Sequence, residues 1–384
     1  MRHENSVFHS LLKHVPWSRL DELVEKSGAD DLARKLTTKR HLIALLYGQF
    51  TGATSLRAIV TGMASHETRL YHLGAAPVKR STVSDANRDR PWQVFSQLCE
   101  TMIGQAHRGL RRASRDAVRL IDSTTMRLSN LSADWARFSA GLCGVKAHII
   151  YDPHADRPVY FAVTPSNVND ITAAKAMPIE PGATYVYDLG FYDFGWWAQI
   201  DDAQARFVTR LKKNTPLTVV RENKVAANSN ILSDRIGFLP QRLAASRHNP
   251  LRVAVREVCV LIDSGKVLRV ATNDLDAPAQ EIADLYKQRW EIELFFRWIK
   301  QTLRITHFIG VSENAVRIQI AVALIAFLLL RLAQATQSVI RSPLEFARLV
   351  TANLMNRRPI NKLLGPLPSL SWNPDQLSLM LHCK

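Results

Sequence analysis

The segment from Tyr286 to Lys300, YKQRWEIELFFRWIK, has a residue spacing that is typical of an amphipathic α-helix. Tyr286, Arg289, Glu293 and Lys300 stand at offsets 0, 3, 7 and 14. At about 100° per residue, these offsets fall within an arc of about 60°. The neighbouring stripe is apolar and should face a core: Leu285, Ile292, Phe296, Ile299 and Leu303. The spacing therefore predicts a helix with one packed side and one narrow charged stripe.

The same geometry distinguishes two neighbouring acids on this helix. Glu291 is two residues from Glu293, yet on a helix it points about 160° away from it. Glu293 is therefore the acid that shares the charged stripe with Arg289 and Lys300. A carboxylate flanked by cations, beside a packed face, is suited to work on a metal-bound phosphate.

Two further acids follow short apolar runs that we predict to be β-strands. Asp122 comes after the run 117–121, and Asp188 comes after the run 185–187 and just before Gly190. We expect both acids where a strand gives way to a loop, a place where polar groups can face a crevice. On the local pattern alone, a turn or helix-cap aspartate is the favoured interpretation of either residue.

Together these segments resemble the DDE-type transposases of bacterial insertion sequences. The third catalytic block of that family reads Y-x2-R-x3-E-x6-K, and the 286–300 segment matches all four positions. Asp122 stands in an IDST context and Asp188 in a D-x-G-F context, as in the first two blocks of the family. Asp193, in the same segment as Asp188, fits the family pattern less well.

The resemblance implies hydrolysis at the ends of the element, attack by the 3′-hydroxyl and joining to target DNA, in several members through a hairpin. Asp122, Asp188 and Glu293 would be the catalytic residues and would share two Mg²⁺ ions, or Mn²⁺ in their place. Hard cations of this kind prefer carboxylate oxygens, and two of them about 3.5–4 Å apart can activate the attacking oxygen and stabilise the leaving one.

Five further residues are expected to contact DNA or its phosphates: Tyr286, Arg289, Lys300, Arg210 and Lys146. The first three belong to the third block, where arginine offers a planar fork and lysine a point charge. The other two follow from basic positions in the predicted core, and ordinary surface charge explains them at least as well.

The resemblance implies an α/β fold: an RNase H-like mixed-sheet catalytic core interrupted by an all-β insertion, with helical N-terminal and C-terminal regions. The periodicity agrees, because helical spacing gives way to strand patterns near residue 115. The expected divisions are a helical N-terminal domain (1–100), the first part of the core (115–215), the β insertion (216–280), the second part of the core with the glutamate helix (281–345) and a C-terminal tail (346–384).

Two roles are left open by the sequence. The N-terminal helices would bind the terminal inverted repeats by resemblance, but a packing or dimerisation module fits the pattern nearly as well. In relatives an aromatic residue of the insertion stacks on a flipped base, whereas here Phe238 is the only Phe, Tyr or Trp in 216–285. The hairpin route is therefore left open. Trp290 of the glutamate helix is the alternative residue for such stacking, although we expect it to pack in the core.

Composition favours a nucleic-acid partner. The 384 residues carry 50 lysines and arginines against 34 acids, a net charge of +16, which also fits other polyanions. Basic residues cluster at 108–115, at 210–213 and around Arg357 and Arg358. We expect double-stranded DNA as the partner, both as terminal inverted repeats and as target, and a homodimer in the synaptic complex.

The cysteines and the longest apolar run bear on localisation. The four cysteines are far apart without a C-x-x-C pair, which predicts free thiols rather than a zinc site. With no signal sequence recognised at the start, we expect a cytoplasmic protein that joins the nucleoid when bound to DNA. The 11-residue run from Ile320 to Leu330 is shorter than a membrane span, and we expect it to be a core helix packed on the sheet.

Two other classes of function compete with the transposase interpretation. One is an inactive or domesticated transposase-derived DNA-binding protein, which would have no use for three metal-binding carboxylates. The other is a metal-dependent nuclease that cuts without joining. The complete Tyr–Arg–Glu–Lys helix and the β insertion favour the transposase over the nuclease.

Overall fold

The computed structural model describes residues 5–109, 117–139, 141–242, 248–303 and 307–364, without the side chains of 106–109 and 138. Most of the basic cluster at 108–115, Cys383 and the tail beyond 364 therefore lie outside the described residues. The chain begins with seven α-helices: α1 (Val7–Leu12), α2 (Trp17–Ser27), α3 (Thr38–Thr51), α4 (Leu56–Ala64), α5 (Glu67–Leu70), α6 (Arg80–Asp89) and α7 (Trp92–Gly109).

Local capping chemistry sets the ends of these helices. Gly28 ends α2 in the left-handed conformation, with φ of 64°, which glycine adopts without steric cost. The Oγ of Thr37 accepts a hydrogen bond from the backbone N–H of Arg40 and begins α3. The helical pattern predicted for the first hundred residues is present in the structure.

The strands form one mixed sheet. Their bounds are β1 (Val118–Leu128), β2 (Arg137–Ser139), β3 (Leu142–Asp152), β4 (Arg157–Pro165), β5 (Thr184–Val186), β6 (Arg206–Arg210), β7 (Thr218–Glu222), β8 (Ile231–Phe238), β9 (Val255–Leu261) and β10 (Val267–Thr272). The order is β2-β3-β1-β5-β6-β10-β9-β8-β7, with β4 also pairing with β3. Antiparallel β4, β3 and β1 followed by parallel β1, β5 and β6 is the RNase H-like arrangement, so the predicted fold class is confirmed.

The strands of the predicted insertion extend this same sheet. β10 pairs antiparallel with β6, with Val270 opposite Arg210, and β9, β8 and β7 continue outward. The remaining α-helices of the described ranges are α8 (Ala133–Ala136), α9 (Asp170–Ala174), α10 (Phe194–Asp202), α11 (Ala279–Gln288), α12 (Trp290–Thr302), α13 (Glu313–Ala335) and α14 (Pro343–Asn353).

The predicted core helix is α13, which contains the run from Ile320 to Leu330. Within the described ranges it is the one helix long and apolar enough to cross a membrane, and 83% of its most apolar 18-residue window is buried inside the protein. Our expectation that it packs on the sheet is wrong in the main, because its chief partners are α1, α3, α6, α7 and α14. A helix that is apolar all round needs neighbours on every side, and one face of a sheet cannot supply them.

Two hydrophobic clusters lie on opposite faces of the sheet. The larger joins the N-terminal helices, one sheet face and the C-terminal helices, and includes Leu120 of β1. The smaller surrounds α10 and includes Ile121, Trp196 and Trp197. Because successive side chains of a strand point to opposite faces, β1 contributes to both clusters. The sheet is thus buried on both sides around the residues that precede Asp122.

Candidate active site

Asp122 lies inside β1, not at its end as the sequence predicts. The antiparallel pairing of β1 with β3 runs on to Leu128, whereas its parallel pairing with β5 stops at Leu120, opposite Val186. Asp122 and Asp188 each follow that last pair by two residues. A crevice therefore opens because β1 and β5 separate, and both acids stand at the level where they do so.

A tight turn orients Asp188. Its Oδ1 accepts a hydrogen bond of 2.8 Å from the backbone N–H of Gly190 and begins the short 3₁₀ helix Leu189–Phe191. A Cβ on Gly190 would lie 3.0 Å from this oxygen, so glycine permits the close approach. Asp193 instead caps α10 through the backbone N–H of Trp196 and pairs with Lys175 at 3.0 Å.

The helix that carries Glu293 is interrupted at Arg289, where a single continuous helix was predicted. The Arg289 N–H donates to the carbonyl of Tyr286 in a tight three-residue turn, which separates α11 from α12. The Nη2 of Arg289 lies 2.7 Å from Glu293 Oε1, and its Nη1 lies 3.9 Å from Asp122 Oδ2. The guanidinium group therefore stands between a strand acid and the helix acid.

The ionisation of Asp122 shows that the three acids are close together. Burial raises the pKa of Asp122 to about 6, while the hydrogen bond from the Ser123 N–H and the charge of Arg289 act against this rise. The negative charges of Asp188 and Glu293 also contribute to this raised value. The structure thus brings the three acids predicted from separate segments into one electrostatic site.

Tyr286 is buried beside Arg289, with only 8% of its surface exposed. Burial raises the pKa of its hydroxyl, and the charge of Arg289, the charge of Arg210 and a hydrogen bond with Arg289 oppose that rise. The guanidinium carbon of Arg289 lies 5.9 Å from the centre of the Tyr286 ring. In the structure Tyr286 thus contacts a cation of the site and is largely shielded from solvent.

Lys300, Arg289 and Arg210 differ in how many of their donors have a hydrogen-bond partner inside the protein. Lys300 donates from its Nζ to the carbonyl of Thr125 at 3.2 Å, and burial lowers its pKa while the charge of Asp122 opposes the change. The Nε atoms of Arg289 and Arg210 are buried and have no hydrogen-bond partner among the described residues. Two buried guanidinium donors, one of them next to Asp122 and Glu293, thus lack a partner within the described residues.

Lys146, one of the two weaker candidates for DNA contact, has partners inside the protein. Its Nζ donates to Asp170 Oδ1 at 3.1 Å and to the carbonyl of Val168 at 3.0 Å. It lies in register with Thr125 of β1, and its side chain is 17% exposed. Sequence reasoning missed Asp170, whose only signal was its place before a predicted helix.

Glu291 and Trp290 lie near Glu293 in sequence, but their side chains do not face the three acids. Glu291 lines a separate cavity of about 200 Å³ together with Tyr151 and Phe327. Trp290 is 51% exposed, so the expectation that it packs in the core is wrong. It begins α12 directly after the interruption at Arg289, where the helix surface is open to solvent.

The three acids suit hard divalent cations. Their carboxylate oxygens are the ligands that Mg²⁺ prefers, and the mutual repulsion seen at Asp122 is the kind a cation relieves. Among the described residues, no three His, Cys, Asp or Glu side chains are grouped as a ready metal cluster. Arg289 pairs with Glu293 and approaches Asp122 in this conformation.

An RNase H-like sheet with one acid on β1, one just after the parallel strand β5 and one on a following helix is typical of enzymes that cut and join nucleic-acid phosphodiesters. Residues 113–329 match the family described as the transposase DDE domain, and residues 3–76 match a domain family of unknown function. The chain belongs to the DDE transposase family, whose members catalyse DNA cleavage and strand transfer in DNA transposition.

Several relatives support this assignment. The chain is 40% identical over 286 residues to y4zB of Sinorhizobium fredii, a protein named as a transposase, covering 74% of this chain and 80% of that one. It is 30% identical over 255 residues to a protein of Geobacillus stearothermophilus named as the transposase for insertion sequence element IS5377, covering 65% and 66%. A piggyBac transposase in a synaptic complex with hairpin DNA aligns with a TM-score of 0.47 and 10% identity, over 98% of this chain and 85% of that one, a likeness too weak to argue from.

Proposed function

We propose that this chain is an insertion-sequence transposase in which Asp122, Asp188 and Glu293 hold two Mg²⁺ ions, or two Mn²⁺ ions, at the ends of the element. The observation that carries the proposal is that one guanidinium group, that of Arg289, lies 2.7 Å from Glu293 Oε1 and 3.9 Å from Asp122 Oδ2. Asp188 is near enough for its charge to act on Asp122. When bound, the metal pair supplies an activated oxygen nucleophile and stabilises the leaving 3′ oxygen. The chain's own residues then have to orient the scissile phosphate.

The cations of the site are suited to that orientation. Arg289 and Arg210 each have a buried Nε without a partner, and a phosphate oxygen would satisfy it. Lys300 of α12 donates to the carbonyl of Thr125 on β1, and the charge of Asp122 acts on it, so it adds a point charge near that acid. Tyr286 acts through Arg289, whose guanidinium it contacts.

The partners follow from the same proposal. DNA is the substrate of the family, and we assign to this chain double-stranded terminal inverted repeats and target DNA, bound by a homodimer in the synaptic complex. Residues 1–100 would bind the repeats, 115–215 and 281–345 would form the catalytic core, 216–280 would form the insertion and 346–384 the tail. The reaction would take place in the bacterial cytoplasm, on the nucleoid.

The test is a strand-transfer assay with purified protein, Mg²⁺ and DNA that carries the ends of the element. Asp122→Ala, Asp188→Ala and Glu293→Ala should each reduce cleavage by about 10³-fold or more. End binding should stay nearly unchanged, because the acids repel phosphate. Removal of the metal with a chelator should stop cleavage by the unaltered protein.

Glu291→Ala is the matched control, since it removes a carboxylate from the same helix at the cavity beside Tyr151. It should retain most of the cleavage activity. A Glu291 variant as inactive as the Glu293 variant would refute the assignment. Cleavage without joined products would identify the metal-dependent nuclease, and binding that no chelator or acid substitution affects would identify a regulator.

A further inference from the structure

Asp170, the first residue of α9, joins two strands of the core beside the proposed acids. Its Oδ1 accepts a hydrogen bond of 2.7 Å from Ser123 Oγ on β1 and one of 3.1 Å from Lys146 Nζ on β3. The side chain of Asp170 is 23% exposed. Because this partly buried carboxylate accepts from both β1 and β3, it fixes the positions of the two strands relative to α9.

Ser123 connects Asp170 to the first acid. Its backbone N–H donates to Asp122 Oδ1 at 2.7 Å, while its hydroxyl donates to Asp170. Because side chains alternate along a strand, Asp122 and Ser123 project from opposite faces of β1, as Leu120 and Ile121 do in the two hydrophobic clusters. Asp170 thus supports Asp122 from the other side of the sheet.

Asp170 also contacts the turn that orients the second acid. Its Oδ2 lies 3.5 Å from the position that a Cβ on Gly190 would occupy. The N–H of the same Gly190 donates to Asp188 Oδ1 at 2.8 Å. The carboxylate therefore packs against the backbone that sets the direction of Asp188.

The charge of Asp170 is balanced within the protein. His148 Nδ1 lies 3.7 Å from Asp170 Oδ1, but burial lowers the pKa of His148 to about 4, so the ring is neutral near pH 7. Lys146 is therefore the counter-ion. A carboxylate already paired with an ammonium group is suited to a structural position more than to direct metal ligation.

We propose that Asp170 is a positioning residue that fixes the separation of Asp122 and Asp188, through Ser123 and through the turn at Gly190. The proposal rests on the proposed function, since this separation matters when both acids share metal ions. A metal site needs its ligands held within about 0.5 Å of the productive geometry. Residues that orient the ligands of a metal therefore change its affinity when they are removed.

The experiment measures Mn²⁺ binding to the full chain without DNA, by electron paramagnetic resonance, and the Mg²⁺ dependence of end cleavage. Asp170→Ala should weaken Mn²⁺ binding and raise the half-saturating Mg²⁺ concentration about 10- to 100-fold. Ser123→Ala should give a smaller shift in the same direction. Asp170→Asn, which keeps an acceptor for Ser123, should stay closer to the unaltered protein. Asp202→Ala, at the exposed end of α10, is the control.

The outcomes separate this proposal from the proposed function. If Asp122→Ala loses Mn²⁺ binding while Asp170→Ala and Ser123→Ala retain it, the positioning role is overturned and the proposed function stands. If Asp122→Ala binds Mn²⁺ and cleaves normally, the proposed function itself fails. Should Asp170→Ala not fold, as judged by circular dichroism, Ser123→Ala decides, and an unchanged Mn²⁺ affinity in that variant rejects the proposal.

Discussion

Arg289 is the residue on which the geometry of the proposed site depends. Its guanidinium group contacts Glu293, approaches Asp122 and lies over the ring of Tyr286. It also occupies the tight turn between α11 and α12. One side chain thus links the helix acid to a strand acid, and it retains an unpartnered Nε.

Arg289→Ala should reduce single-turnover cleavage by about 10²- to 10³-fold, because a donor aimed at developing phosphate charge is lost. Arg289→Lys should fall between the alanine variant and the unaltered protein, since lysine keeps the charge without the planar fork. Arg297→Ala, at an exposed position of α12, should cleave normally. Equal losses in the Arg289 and Arg297 variants would mean that general charge, not the position of Arg289, matters.

At the residue scale, motif spacing predicted which side chains would meet but not how they would be bonded. The charges of Asp188 and Glu293 act on Asp122, and the assignment of the three acids as the catalytic set stays a prediction. The burial of Tyr286 and the exposure of Trp290 did not follow from the motif, because a residue's place on a helix does not say which neighbours cover it. Helix periodicity assumes regular turns, and one tight turn changes which side chains face solvent.

At the scale of elements, the sequence identified the strands of the insertion but not the strand with which they pair. Alternating apolar and polar residues identified its strands, since period-2 alternation is a local property. The edge on which those strands pair is set by non-local hydrogen bonds, here between β10 and β6. The same limit applies to β1, whose partners separate within the strand and leave Asp122 in its middle.

A buried ion pair stabilises the extension of the sheet. Arg256 of β9 donates from Nε and Nη2 to the two oxygens of Asp234 on β8, both at 2.8 Å, and from Nη1 to the carbonyl of Ala277 at 2.5 Å. The two side chains are 5% and 4% exposed. Because Ala277 lies two residues before α11, the pair also connects the extension to the chain that enters the site.

Asp234→Ala should lower the free energy of unfolding by about 3–5 kcal/mol, because it leaves a buried guanidinium without its partner. Urea denaturation followed by circular dichroism measures the change. Glu222→Gln, in the exposed pair with Arg235 on β7 and β8, should cost about 1 kcal/mol or less. If the two variants lose similar stability, the buried pair contributes nothing beyond a surface pair.

At the scale of the whole molecule, one hydrophobic cluster joins the N-terminal helices, the sheet and the C-terminal helices. The apolar composition of α13 predicted that it would be buried, as it is. Its partners could not be predicted, because an apolar surface is not directional and α13 is far in sequence from α3 and α7. Hydropathy thus gave the burial of the helix and left its neighbours undetermined.

The molecule should lose stability in mild acid because of a histidine inside the N-terminal helices. His41 is 0% exposed, its Nε2 lies 2.8 Å from Asn87 Oδ1, and burial lowers its pKa to about 3. The unfolded chain, with a histidine pKa near 6.5, binds a proton that the folded chain excludes. This contribution is fully present above about pH 6.5 and is lost as the pH falls towards 3.

The free energy of unfolding, measured between pH 7.5 and 5, should therefore fall as the pH falls. Below pH 6.5 the part of this slope that is due to His41 approaches about 1.4 kcal/mol per pH unit. His148, with a pKa of about 4, adds to it in the same direction. His41→Gln should show a smaller slope than the unaltered protein, whereas His154→Gln, at an exposed position, should not. An unchanged slope in the His41 variant would assign the pH dependence to other groups.

The single cluster around α13 has a consequence for how such a protein can change over time. Recombination that replaced the first seven helices with those of a distant homologue would place side chains of the wrong size against α13. The product would misfold or aggregate. The first seven helices and the rest of the chain therefore have to evolve together. Novelty at either end has to arise by gradual substitution, each step accommodated across their common packing surface.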